Sequence, residues 1–440
     1  MHGPIAMPLL TSPVTSVRLF AVLSLGLLTG TALADTMPNM LTREAAVRWG
    51  LQNNPELAAI RQQHGISAAA VIIAETYPFN PVWEAKVRAA SGPTSAGISN
   101  RVSNEHKLLM DVEVRHQGQY RRQAAGAALT RTDWEIAFQE LSLAVRILRT
   151  FDAVIYQQNK LQLVEDTLRL NEAAAKDVSL LAQQGKLRAI DLILIRTEVN
   201  DIRGQLGPAR VAYEKAWHEL RRALGVADGN FTVQGTLEVS HAPDDTAALL
   251  ATALEQRPDL HARQAAGAEA EARVRLALAD RYGNPNVGPA YEYDPTRINL
   301  IGAQFTVPLP VLNTHRGEIC QRVAERTRAA LELRQAEVTI QQDLAAAQAR
   351  LSAARHWVET YRTELLPELQ KSLESTQKLF AAGEPSVDVL RILDVRRKLL
   401  KARDGYLDAL YELRQARDDL SAAVGDLALA MDPEPESPSP

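Results

Sequence analysis

Between Gly118 and Gly185 the chain runs 67 residues with no proline and, apart from Gly126 near the start, no glycine; between Gly317 and Gly383 it runs 66, interrupted only by Pro367. Glycine and proline are the residues that let a chain turn back on itself. A helix as long as either stretch reaches roughly 100 Å at 1.5 Å per residue, too long for a compact domain. The two stretches therefore read as struts. Their seams follow a 3-4 rhythm, as in Leu344, Ala347, Leu351, Ala354, Val358, Tyr361 and Leu365. The same rhythm runs through the returning segments, from Ile195, Val199 and Ile202 to Leu220 and Ala223, and from Leu399, Ala402 and Tyr406 to Leu420 and Ala423. Heptad spacing of this kind packs neighbouring helices at a shallow angle. The composition agrees: 46% of residues are apolar but only 5% aromatic, so the seams are filled largely by alanine and leucine.

The mature chain is written twice. Asn54-Pro55-Glu56-Leu57 recurs as Arg257-Pro258-Asp259-Leu260, Asn80-Pro81 as Asn284-Pro285, and Gly118, Gly185 and Gly225 as Gly317, Gly383 and Gly425. Each half opens with a helix, about 42–77 and about 245–282. The pattern then changes to a period of two. Trp83, Ala85, Val87 and Ala89 alternate with Glu84, Lys86 and Arg88; after a loop rich in Gly, Ser and Pro, Met110, Val112 and Val114 alternate with Asp111, Glu113 and Arg115. In the second half Val287 to Tyr293 precede a turn at Asp294-Pro295, after which Ile301, Ala303, Phe305 and Val307 interleave with Gly302, Gln304 and Thr306. Alternation of this kind describes strands with one apolar and one polar face, so each half carries one hairpin. The return from Gly185 to Gly225 spans only 40 residues, so an arm matching the strut requires two helices end to end. The lengths pair that return with the helix at 245–282, and residues 385–425 with the helix at 42–77. A strand-like patch at Phe231 to Val233 sits at the waist.

Arg18, the apolar run Leu19 to Leu28 and the small residues of Ala32-Leu33-Ala34 make a secretory signal peptide, residues 1–34. The expected layout is then a first repeat at 35–227, an equatorial linker at 228–244, a second repeat at 245–428 and a disordered acidic, proline-rich tail at 429–440. No later stretch has the roughly 18 apolar residues of a membrane-spanning helix, so a membrane would be crossed by strands. Strands in lipid must close into a barrel. Four are too few, since single-chain barrels begin at about eight, and closure calls for more than one copy. The lumen would be lined by Glu84, Lys86, Arg88, Asp111, Glu113, Arg115 and Gln304, and the lipid face by Trp83, Val87, Val112, Phe305 and Val307.

A net charge of -4 with no basic stripe argues against nucleic acid as a partner. No nucleophile, phosphate-binding or metal constellation suggests an enzyme or a cofactor. The nine histidines are scattered and Cys320 is the only cysteine.

Taken in order and doubled around two hairpins, these blocks resemble the outer membrane efflux proteins, the TolC-like family. The resemblance covers about residues 40–428 and is carried by Arg257-Pro258-Asp259-Leu260, by Val307-Pro308-Leu309-Pro310-Val311-Leu312-Asn313 with Arg316-Gly317-Glu318-Ile319, and by the loops at Gly185 and Gly383. It implies a mainly α fold with a small β-barrel: a homotrimer in which long helical hairpins form an α-barrel tunnel in the periplasm and four strands per chain cross the outer membrane of a Gram-negative bacterium. The implied partners are a periplasmic adaptor and an inner-membrane transporter of the resistance-nodulation-division type. The wording from Tyr291-Glu292-Tyr293-Asp294 through the Pro-Leu-Pro junction is most similar to the branch serving heavy-metal pumps. Multidrug or other small-molecule export is the alternative, and a periplasmic coiled-coil adaptor or scaffold is a further one that leaves the strands unexplained.

The family places adaptor contacts at the hairpin tips, here Gly185, Lys186, Leu187, Arg188 and Asp191 on one and Gly383, Glu384, Pro385 and Ser386 on the other. It places the resting gate nearby, here Phe380, Asp388 and Arg391. Where the family often has a tyrosine, Phe380 has no hydroxyl, so closure would rest on packing and on charge pairs such as Asp388 with Arg391.

Overall fold

The computed structural model describes residues 37–91, 95, 101–184, 189–228, 231–239, 245–382 and 389–431; the expected signal peptide lies outside them. Helices dominate. A short strand β1 (Met40–Leu41) leads into α1 (Arg43–Asn53) and α2 (Pro55–Glu75), then β2 (Val82–Ala90) and β3 (Arg101–Asp111), the strut α3 (Gln117–Gln183) and its return α4 (Ala189–Leu224). After β4 (Thr232–Val233) the order repeats: α5 (Thr246–Gln256), α6 (Pro258–Asp280), β5 (Asn286–Tyr293), β6 (Asn299–Thr306), α7 (Arg316–Thr360), a π-helical turn Tyr361–Leu365, α8 (Leu366–Ala381) and the return α9 (Val389–Val424).

Each opening helix expected as one piece is two. The break falls at Asn54-Pro55 and at Arg257-Pro258, because proline supplies no N–H to continue a helix and favours its first turn. Asn54 caps α2 by accepting from the N–H groups of Glu56 and Leu57. Both struts start from a left-handed histidine, His116 at φ 61° and His315 at φ 52°. This is a further echo between the halves that the sequence patterns did not flag.

The second strand of the first hairpin also moves. It runs Arg101–Asp111, paired antiparallel with β2 in the register Val82↔Leu109 to Ala90↔Arg101, so the alternation at Met110–Arg115 marks its end rather than its course. One four-stranded antiparallel sheet, in the order β2-β3-β5-β6, joins the two hairpins. The turn between β5 and β6 is closed by Asp294, whose side chain and backbone hold Thr296, Arg297 and Ile298, with Arg297 left-handed at φ 72°. At the waist β1 and β4 pair in parallel.

The helices lie side by side in the order α2, α3, α6, α7 toward the sheet, and α4, α3, α9, α8 toward the tips. The expected seams are buried along α4, α7 and α9, for example Ile195, Val199, Leu351, Ala354, Ala409 and Leu420. Leu365 is the exception and lies exposed. The packed chain also runs past the expected boundary at 428: Ala430 is fully buried, while 432–440 lie outside the described residues.

Candidate functional site

Residues opposite each other on paired strands share a face. The register therefore sets Glu84, Lys86 and Arg88 on one face with Glu105, Lys107, Asp111, Glu292 and Gln304. Glu105 is the centre of an ion ladder: Lys107 bonds it directly, Arg88 lies 3.6 Å and Lys86 4.0 Å away, and Lys86 is 3.8 Å from Glu84. Glu105 and Lys107 escaped the sequence reading, although Ser103, Glu105 and Lys107 alternate with Val102, His106 and Leu108. The opposite face carries Trp83, Val87, Leu108, Ile301 and Phe305, all exposed, with Trp83 stacked on His106 and His106 on Tyr291.

Three residues expected on these faces are elsewhere. Glu113 accepts from Arg121 at 2.6 Å and its N–H donates to the Tyr77 hydroxyl. Arg115 lies over the Tyr282 ring, 3.8 Å from its centroid. The N–H of Val112 donates to the carbonyl of Pro285. All three belong to a neck between sheet and struts, because β3 stops at Asp111. Val307 sits one residue beyond β6 and is exposed.

The two proline blocks, whose role the sequence left open, are joints. The Asn54 amide donates to the carbonyl of Ala223 at 2.8 Å, so the last turn of α4 abuts the first turn of α2. Gly225 ends α4 at φ 74°, and a Cβ there would stand 2.5 Å from Pro55 Cδ. In the second half Arg257 donates to the carbonyl of Ala423 at 3.1 Å and is held by Asp259 at 2.7 Å and Asp343 at 3.3 Å. There Gly425, at φ 84°, ends α9 against it. The stacking is thus α4 with α2 and α9 with α6, the reverse of the pairing the lengths suggested. Length alone cannot choose between helices of similar size; free carbonyls at one helix end meeting donors before another do. Asn54→Ala is expected to lower stability by about 1–2 kcal/mol. Asn54→Asp, which keeps the cap but loses the donor to Ala223, tests the joint itself: thermal midpoints should fall for both, and an unchanged Asp variant would reduce the block to a simple cap.

Buried charge gathers at the waist. Arg43 donates to Asp152 at 2.9 Å, and also to Asp418 and to the Ala430 carbonyl. Both carboxylates are fully buried. Arg414 donates to the carbonyls of Thr236 and Glu238, and Arg417 to those of Leu429 and Met431. The three arginines clamp the chain's linkers to α3 and α9. Burial pushes the Asp418 carboxyl up to about 7; the Asp152 charge adds to the rise and Arg43 opposes it.

At the far end, Phe380 packs against the cluster of Val178, Ile195, Val389 and Leu393. Asp191 is only 3% exposed and stands in the first turn of α4, where its charge complements the helix N-terminus. Arg391 is exposed on the first turns of α9. Gly185, Lys186, Leu187, Arg188, Gly383, Glu384, Pro385, Ser386 and Asp388 lie outside the described residues. Among the described residues no helix is long and apolar enough to cross a membrane, and no group of three His, Cys, Asp or Glu could hold a metal ion.

Residues 249–426 match the profile of the family described as outer membrane efflux protein. The cobalt-zinc-cadmium resistance protein CzcC of Cupriavidus metallidurans is 22% identical over 406 residues, spanning 90% of this chain and 94% of CzcC. Among solved structures, CusC superposes with a TM-score of 0.73 at 16% identity, covering 89% of this chain and 94% of that one. The open state of the MtrE outer membrane channel of Neisseria gonorrhoeae gives 0.70 at 14% identity, covering 87% and 89%. The resemblance to the outer membrane efflux proteins thus holds in sequence through the second repeat and in fold through both.

Proposed function

We propose that this chain, with its likeness to the outer membrane efflux proteins, is the passive exit duct of a tripartite export pump. In this reading it is a homotrimer, anchored by its strands in the outer membrane of a Gram-negative bacterium with its helices in the periplasm. The observation that carries the reading is the sheet. It has an ion ladder on one face, an exposed apolar surface on the other, and two unpaired edges, β2 and β6. Open edges are untenable in hydrocarbon. Four strands alternate in direction, so β6 of one copy can pair antiparallel with β2 of the next, and three copies of the four-stranded sheet make a twelve-stranded barrel. The ladder then lines water and Trp83, Val87 and Phe305 meet lipid.

The helical layer supports the same assembly. Its flanks, α2 and α7, expose Ile66 and Ile73 on one and Leu331 and Val338 on the other, each pair one heptad apart, a seam waiting for a partner helix. The cargo we assign is heavy-metal cations, on the likeness to CzcC; selectivity resides in the transporter and the periplasmic adaptor, which meets the tips around Lys186 and Glu384. No catalytic step is required of the chain itself.

Native mass spectrometry of the mature protein in detergent should give a trimer that conducts in planar bilayers. Adaptor cross-linking from cysteines at Lys186 and Glu384, in a Cys320→Ser background, should be efficient. In cells supplied with a matching adaptor and transporter, resistance to cobalt, zinc and cadmium should rise. Resistance to dyes and not metals would move the cargo to small molecules. A stable, non-conducting monomer would end the duct reading.

A further inference from the structure

The passage from strand to strut is built twice, and only one of the two is covered on both sides. In the first repeat four residues, 112–115, lead from the end of β3 to the left-handed His116. From their own repeat, the Tyr77 hydroxyl donates to the Asp111 carbonyl at 2.7 Å and accepts from the N–H of Glu113. From the second repeat, the carbonyl of Pro285 accepts from the N–H of Val112 at 2.8 Å, Tyr282 lies under Arg115, and Asn284 accepts from Gln117 at 2.7 Å. The exit of a strand thus lies between two entries, the α2–β2 connection (76–81) on one side and the α6–β5 connection (281–285) on the other.

In the second repeat the exit has eight residues, 307–314, between the end of β6 and the left-handed His315. The two strand ends are level, since Asp111 and Thr306 both stand opposite Asn286, so the extra length belongs to the passage itself. One side is covered as before: a Cβ on Gly283, in the entry of the same repeat, would stand 2.7 Å from Pro308 Cγ. The other side is bare. Val307, Leu309, Val311 and Leu312 are 60, 78, 77 and 100% exposed, and no charged residue interrupts the run from Thr306 to Thr314. The loop is nevertheless held in shape. Pro308 and Pro310 fix two backbone angles, the N–H of Val311 donates to the carbonyl of Leu309 at 2.8 Å, and the Asn313 side chain accepts from the N–H of His315 at 3.0 Å. Apolar side chains held together in water mark a surface made for a partner, and their fixed shape lowers the entropy cost of docking.

The duplication identifies that partner. By the pattern of the first repeat, the bare side should meet an α2–β2 connection. The chain's own lies at the far edge of the sheet, beside β2, whereas the bare exit follows β6 at the other edge. β6 runs toward the struts and β2 away from them, so where β6 of one copy pairs with β2 of the next, the exit comes alongside the connection that precedes that β2. The end of α2 and this connection present Ile72, Ile73 and Tyr77, all exposed, an apolar match for the loop.

We propose that residues 307–314 form a strap that docks on the α2–β2 connection of a second copy, with Leu309, Val311 and Leu312 covering Ile73 and Tyr77 there. The strap rests on the trimer of the duct reading and adds an apolar lock between copies at the neck. Inside one chain the matching joint is held by hydrogen bonds and by Arg115 on Tyr282; between copies it is held by the leucines and valines of the longer loop.

Cysteines at Leu312 and Ile73 of the full mature protein, in a Cys320→Ser background and in detergent, test the docking. Oxidation or a short bis-thiol reagent should join copies into covalent trimers on denaturing gels, whereas Leu312→Cys with Ile298→Cys, at the opposite end of the sheet, should not. Replacing Leu309 and Leu312 together by serine touches no buried side chain, so helicity should be unchanged, while the trimer should dissociate at a protein concentration about tenfold higher or more. A wild-type trimer that gives no Leu312–Ile73 product and is as stable with the two serines would overturn the strap and leave the duct reading standing. A wild-type protein that is monomeric would overturn both. Quenching of a fluorophore at Leu312 by brominated lipids in proteoliposomes, in place of the cross-link, would put the loop in the bilayer and likewise end the strap.

Discussion

Replacing Arg43 with alanine should cost the folded chain about 3–5 kcal/mol at pH 8, because it leaves the Asp152 and Asp418 carboxylates buried without the cation between them. The loss should shrink at pH 5. The sign is set by Asp418, whose carboxyl is raised from 3.8 to about 7 in the folded state, by burial first and by Asp152 second. Between those values the folded chain holds a proton that the unfolded chain has released, so stability rises as pH falls through about 7 and gains nothing more from this group below about 4. The groups facing it are Arg43 from α1, Asp152 from α3 and Arg414 on α9 itself. Asp418→Asn, which keeps an acceptor for Arg43 without the titrating proton, should flatten the dependence of the thermal midpoint on pH between 5 and 8. An Arg43→Ala loss of equal size at both pH values would show that the carboxylates do not depend on this cation.

The sheet makes the second large effect directional. Phe305 is 74% exposed on the apolar face, while Gln304, its neighbour in sequence, shares the face of the Glu105 ladder. Phe305→Arg should impair outer-membrane assembly at a cost of about 2–4 kcal/mol near the bilayer midplane. Gln304→Arg should assemble normally and shift the charge selectivity of the conductance, since it adds a cation to a wetted wall. Trimer yield from isolated outer membranes and reversal potentials in a salt gradient read the two outcomes. Equal losses of trimer would mean that the faces are not lipid and water.

Much of the architecture is local and therefore legible. Heptad spacing over Leu344 to Val358, and a run through α3 without proline and, after Gly126, without glycine, specify helices and their buried edge whatever surrounds them. Alternation from Trp83 to Ala89 specifies a two-faced strand in the same way. The pattern failed where two signals overlapped: the polar and apolar residues of the neck, Val112 to Arg115, continue the alternation of β3 after its pairing has ended.

What the sequence by itself determined about this protein is accordingly its set of parts: two copies of a helix, a hairpin and a strut with its return. Each of these follows from the backbone preferences of nearby residues. Which parts meet was decided only in three dimensions. Asn54 finds Ala223 and Arg257 finds Ala423 across more than 160 residues, and Arg43 gathers Asp152 and Asp418 from two other helices. No periodicity records such encounters, because a polar residue next to a proline or inside a heptad reads as solvent-facing until another helix end closes over it.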